Sequence, residues 1–119
     1  MNLEDIREYC IRKKGVTESF PFDDQTLVFK VMGKIFLITN INEVEISVNL
    51  KCDPEFALQL REKYKSVLPG FHMNKKYWNT VEYSNEFSDQ EFYSMIDHSY
   101  HQVVKGMPGK KQQELENLL

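Results

Sequence analysis

Two cysteines, one tryptophan, four prolines and five glycines are all that the 119 residues hold of those types. Each scarcity excludes something. Cys10 and Cys52 alone cannot staple a small secreted scaffold, so reduced thiols in a cytoplasmic protein are expected. The few glycines form no phosphate-cradling loop and no dinucleotide fingerprint, and no nucleophile elbow occurs. No apolar run approaches the ~20 residues of a membrane helix. The opening MNLEDIREYC has neither the basic leader nor the apolar core of a signal peptide. Repeats, low-complexity segments and linkers are missing too. The length suits one domain with a real core, placed at residues 1–109, followed by a tail or short helix at 110–119.

Positive charge is scarce overall and concentrated where it occurs. The net charge is −3, which argues against a generic nucleic-acid coat or a membrane-surface protein. Residues 51–81 nevertheless carry six basic side chains against three acidic ones, while residues 82–104 carry five acids and no Lys or Arg. A basic middle on an acidic molecule permits anion binding at one place.

What is present reads as alternating structure. Asn2 can cap a first helix in which Leu3, Ile6 and Cys10 share a face, and Gly15 can end it. After the loop TESFPFDDQ, the run TLVFKV puts Leu27, Phe29 and Val31 on one face. KIFLIT follows a Met32-Gly33 turn tight enough to force a hairpin. EISVNL alternates again, with Ile46, Val48 and Leu50 inward. Asp53-Pro54-Glu55 starts a second helix carrying Phe56, Leu60 and Tyr64. Two short strands, Val67 to Phe71 and Tyr77 to Tyr83, flank a turn at Met73–Lys76. Ser88 and Glu91 form a capping box, and Phe87 with Phe92 a hydrophobic staple, for the last long helix. The fold class is α+β: a two-layer sandwich in α-β3-α-β2-α order, its antiparallel sheet carrying helices on one face.

The stretch GFHMNKKYWNT, residues 70–80, is the richest in chemistry. As a nucleic-acid surface, Lys75 and Lys76 approach phosphates from a hairpin tip, Tyr77 or Trp78 stacks on a base, and Asn74 or Asn79 reaches a base edge. Lys34, at the other hairpin's turn, supplies a second contact, with Lys30 beside it. As plain structure, Asn74 and the lysines are turn residues, and Trp78 is core with its indole N–H on a carbonyl. A small-ligand pocket around Lys51, His72 and Trp78 is a third reading. His72 has no carboxylate or nucleophile at a recognisable spacing, so it is expected to hydrogen-bond across the sheet. Asp97, His98 and His101 have a metal-like spacing but no partner motif elsewhere; Asp97 is expected to pair with His101 while Ser99 faces the core. Cys52 precedes a helix, whose dipole can lower a thiol pKa, although a buried junction cysteine is the default. Asp23-Asp24 and the acids of 82–97 read as a solvated face.

Four segments, FPFDDQTLVFKVMGKIF, VNLKCDPEFALQLREKY, PGFHMNKKYWNT and MIDHSYHQVVKGMPGKK, resemble the MmcQ/YjbR family of small bacterial proteins. The similarity runs from about Tyr9 to Lys111, and PGFHMNKKYWNT is its most specific piece. Tyr77 is a departure, standing where the family pattern has a histidine. The resemblance implies the same sandwich, shared with type III secretion chaperone-like proteins, and DNA binding through two β-hairpin wings.

Residues and resemblance together lead us to expect a non-enzymatic DNA-binding protein, without cofactor, metal or membrane partner. Lys34, Lys75 and Lys76 would hold phosphates, with Asn74, Trp78 and Asn79 as adjacent surface. The alternatives are a protein-interaction module, taking a peptide or a second copy on the sheet, and the Lys51–His72–Trp78 pocket. Monomer and homodimer both remain open.

Overall fold

The computed structural model describes residues 1–118. Helix α1 (Leu3–Ile11) leads into strands β1 (Val16–Ser19), β2 (Thr26–Val31), β3 (Lys34–Asn40) and β4 (Ser47–Lys51). Helix α2 (Pro54–Lys63), strands β5 (Val67–Pro69) and β6 (Trp78–Glu82), and helices α3 (Asp89–Lys105) and α4 (Gly109–Glu116) complete the chain. The α+β class holds, and the order gains one strand at its start. Val16–Ser19 pairs with β2 as an edge strand, where a loop was expected from residue 17 onward. Its polar Thr17, Glu18 and Ser19 hid it, because an edge strand needs little apolar surface.

All strand pairs are antiparallel, in the order β1-β2-β3-β4-β6-β5. Two rows cross the inner face: Phe29, Leu37, Leu50 and Asn79, then Leu27, Thr39, Val48, Val81 and Val67. Against them pack Ile6 and Cys10 of α1, Ala57 and Leu60 of α2, and Phe92, Ile96 and Val103 of α3, in one continuous core. Two chemical layers thus bury one face of each amphipathic element.

The caps follow the sequence with one change. Asn2 and Asp5 exchange reciprocal side-chain hydrogen bonds with backbone N–H groups at 2.9 Å. Asp53 accepts from the Phe56 N–H at 3.1 Å, with Pro54 at the first helical position. Ser88 accepts from the Glu91 N–H, but the Glu91 carboxylate accepts from the Tyr64 hydroxyl, so only half of the expected box forms. The Phe87–Phe92 staple is present, with ring centroids 6.0 Å apart.

Between β2 and β3, Met32 and Gly33 both take positive φ (49° and 85°), the backbone of a tight two-residue hairpin. The register then shifts at Phe29/Lys30, and both Phe36 and Leu37 are fully buried. At this irregularity Ser99 of α3 reaches into the sheet. Its hydroxyl donates to the Phe36 carbonyl at 2.5 Å and accepts from the Lys51 N–H at 2.8 Å.

Candidate functional site

Strand alternation places the site. Leu50 and Asn79 face the core as opposite residues, so their neighbours Lys51 and Trp78, also opposite, leave it. At this end of the sheet β2 turns into β3, β4 stops, β6 begins and α3 runs out. The result is a depression of about 610 Å³ lined by Lys30, Lys34, Ile35, Lys51, Trp78 and Met107 among others. A second, of about 380 Å³, continues from it and is lined by Pro54, Tyr77, Gln102 and Lys105. Lys51, Trp78 and Gly106 border both.

The backbone around Trp78 is held from three sides. Gly70 donates its N–H to the Trp78 carbonyl at 2.8 Å, and a Cβ on Gly70 would lie 2.7 Å from the Trp78 Cβ. The glycine is therefore there for close approach. The Cys52 N–H donates to the Tyr77 carbonyl at 2.7 Å, tying β4 to the residue before β6. From α2, the Arg61 guanidinium donates to Asn79 Oδ1 at 2.7 Å and to the Lys75 and Trp78 carbonyls. The Trp78 indole N–H has no hydrogen-bond partner among the described residues, and the side chain is half-buried rather than part of the core.

Lys30, Lys34, Lys51 and Lys105 approach the two depressions, and among the described residues no carboxylate lines either. Among the described residues the ion pairs are Arg7 with Glu4 and Glu18, and Lys13 with Asp97, so these four ammonium groups keep their charge unneutralised. The C-terminal end of α3 contributes negative partial charge nearby. Gln112 takes up part of it by donating to the carbonyls of Met107 (2.9 Å) and Lys105 (3.4 Å). The balance at this end is positive on a molecule of net charge −3.

The expected residues divide. Lys34, Lys51 and Trp78 meet in the groove. His72 lines neither depression; it is exposed, with φ of 60°, and its ring lies 4.1 Å from that of Phe71. The Lys51–His72–Trp78 grouping is thereby corrected, because the loop turns His72 out to solvent. Asn79 is corrected too: it is 1% exposed on the core face, its amide engaged by Arg61 and the Ala57 carbonyl. Asn74 serves its own turn, accepting from the N–H groups of Lys76 and Tyr77. Lys75 folds back so that its ammonium donates to the Gly70 carbonyl at 2.9 Å. Lys76 lies over the Tyr77 ring, 5.5 Å from its centroid.

One further expectation changes. Asp97 pairs with Lys13 at 2.5 Å and accepts from the Tyr9 hydroxyl, not from His101. His98 instead accepts from the Asp53 N–H at 3.2 Å, and burial lowers its pKa despite the Asp53 charge. Among the described residues no three His, Cys, Asp or Glu side chains converge as metal ligands. Cys52 is the buried junction cysteine expected by default: burial pushes its thiol up to about 12, so the helix dipole does not activate it. Sequence reasoning missed Lys105 as a groove residue and Arg61 as the organiser of the loop. Lys105 carried a faint signal, the last basic residue before the helix stop at Gly106; Arg61 carried none.

A model of the YjbR family matches residues 11–102. The chain is 32% identical over 118 residues to the Escherichia coli K12 protein YjbR, covering 99% of this chain and 100% of that one. It is 35% identical to E. coli O157:H7 YbdF over 94% of this chain and 92% of that one. A solved Deinococcus radiodurans structure with the DUF419 domain superposes with a TM-score of 0.90 at 35% identity, over 97% of this chain and 88% of that one. A Pseudomonas syringae protein shares the fold, with a TM-score of 0.72 at 24% identity, over 86% of this chain and 98% of that one.

Proposed function

The chain belongs to the YjbR family, and from that premise we propose that it is a non-enzymatic, cytoplasmic protein that binds nucleic acid through the lysine groove around Trp78. One observation carries this reading: Lys30, Lys34, Lys51 and Lys105 line the two depressions that Trp78 borders, with no carboxylate in the lining among the described residues. A cleft lined by one sign of charge focuses the field and raises the local concentration of anions. Phosphates are such anions, and a half-buried ring beside them offers a stacking face. The β2–β3 hairpin with Lys34 at its turn acts as one wing. The loop between β5 and β6 acts as the other, contributing Tyr77 and Trp78 more than Lys75.

Counterion release sets the scale. Four phosphate contacts predict a slope of about −3 on a single strand and about −3.6 on a duplex in log affinity against log salt, and nonspecific affinity of ~10⁻⁴–10⁻⁶ M. Fluorescence anisotropy of labelled DNA across a salt series tests this. A folded Lys30→Gln/Lys34→Gln/Lys51→Gln variant is expected to lose about two units of slope. Lys75→Ala/Lys76→Ala is expected to lose one unit at most, because Lys75 is held on Gly70. Wild type that binds no DNA at low salt, or a groove variant with an unchanged slope, would sink the model.

A second reading has its own observation. A depression of about 360 Å³ joins Leu68 and Phe71, which is 66% exposed, to Glu43, Glu45 and Glu82. A salt-insensitive complex that depends on Leu68 and Phe71 would favour a protein-interaction module instead.

A further inference from the structure

We infer that the nucleic acid the groove accepts is single-stranded, crossing both depressions with an unpaired base on the Trp78 ring. The inference rests on the nucleic-acid reading above and adds the class of ligand. It begins from shape. The two depressions meet at Lys51, Trp78 and Gly106, so the site is one channel with an aromatic at its waist, not a closed pocket. Rings and cations share it: Lys30 and Lys34 on one side, Trp78 with Lys51 in the middle, Tyr77 and Lys105 on the other. A single strand, with its repeating charge and repeating flat face, matches that order. A duplex keeps its bases stacked inside and offers phosphates on a stiff, convex surface, so a half-buried Trp78 cannot reach a paired base.

The Trp78 side chain is also prepared for a ligand. Its backbone is fixed by Gly70, Arg61 and the pairing with Lys51, so little ordering is needed on binding. Its indole N–H, without a partner among the described residues, is free to donate to a phosphate or base oxygen. The contacts that would read base identity are few. Asn79 is buried on Arg61, Asn74 is engaged in its own turn, and Gln102 is the one amide in the lining. Binding is therefore expected to tolerate many sequences, as stacking does.

Trp78 is the only tryptophan, so its emission reports the site directly. The full-length protein would be titrated with an oligothymidylate of about ten nucleotides, an abasic strand of the same charge and a duplex of the same length. We expect the oligothymidylate alone to quench Trp78, and to bind about 5- to 150-fold more tightly than the abasic strand, the range for one stacked base. Trp78→Leu, followed by anisotropy, is expected to abolish the preference for the thymidylate over the abasic strand. If that variant does not fold, the wild-type comparison of thymidylate with abasic strand decides by itself. Duplex binding as tight as single-strand binding, or equal thymidylate and abasic affinities, overturns this inference while leaving nucleic-acid binding intact. No binding of any of the three at low salt overturns both.

Discussion

Ser99 shows how one hydroxyl can join the two layers and place a groove residue, Lys51. Where β3 departs from regular pairing, the Phe36 carbonyl and the Lys51 N–H find their partner in Ser99 of α3, which is fully buried. Ser99→Ala would leave both backbone groups without it. An unsatisfied buried group costs about 1–3 kcal/mol, so urea unfolding of Ser99→Ala should show a loss of that size. A loss under about 0.5 kcal/mol would mean that water enters and replaces the hydroxyl. Arg61 works similarly at the other side of the groove, holding buried Asn79 and the carbonyls of the 74–78 turn. Both residues act on the groove through backbone they position, and neither lines it.

At the level of elements, α4 returns the chain end to the domain. Leu115, 6% exposed, meets the bend after α1 at Gly15, and Lys14 donates to the Glu116 carbonyl at 3.3 Å. Gly15 has φ of 73°, and a Cβ there would sit 2.7 Å from Leu115 Cδ1. Gly15→Ala therefore combines a left-handed backbone with a clash, and a destabilisation of about 1–3 kcal/mol is expected. Limited proteolysis gives the element-level check, since displaced α4 should be trimmed before the rest of the chain unfolds. Equal trimming rates in wild type and variant would show that Leu115 sidesteps the new methyl group. The strands teach a related point. β2 and β4 announce themselves by alternation, but β1 is polar and is a strand because β2 offers it an edge.

Across the whole molecule, charge is polarised along the β4–β6 pair. Lys51 faces Trp78 at one end and Ser47 faces Glu82 at the other, about 13 Å away at ordinary strand rise. The lysine groove lies at the first end; Glu43, Glu45 and Glu82 border the depression at the second. With a nucleic-acid ligand as proposed, this polarity would turn the basic end toward the polyanion and the acidic end away, limiting the footprint. Folding itself carries a pH dependence set by His98. An ordinary histidine titrates near 6.5; burial lowers His98 below that, with Asp53 opposing and His101 reinforcing the shift. The unfolded chain then takes up its proton at a higher pH than the folded chain. Stability is unaffected well above 6.5, declines as pH falls through 6.5, and goes on declining until the folded imidazole is also protonated. Urea midpoints between pH 7.5 and about 5.5 should fall in wild type and be flatter in His98→Gln. Parallel curves would assign the decline to other groups.

What local periodicity determines, the sequence settled alone. The inward faces of β2 and β4, the caps at Asn2, Asp53 and Ser88, the turn at Met32-Gly33 and the α+β class follow from spacings of two and of three to four residues. The face of Trp78 does not, since neither Thr80 and Glu82 on its side nor Asn79, Val81 and Tyr83 on the other make a purely apolar set. The tertiary structure decided which distant groups meet. Asp97 faced a choice between His101 on its own helix and Lys13 of the bend after α1, and the packing of α1 against α3 brought Lys13. Lys105 joined Lys30, Lys34 and Lys51 because α3 ends where β2 and β4 end and β3 begins. Asn79 left the predicted surface because pairing with Leu50 puts it on the core face, where Arg61 of α2 satisfies its amide. A single side chain has no period, so its partner is fixed only when packing fixes the distance between elements, and a site made of such partners becomes legible only then.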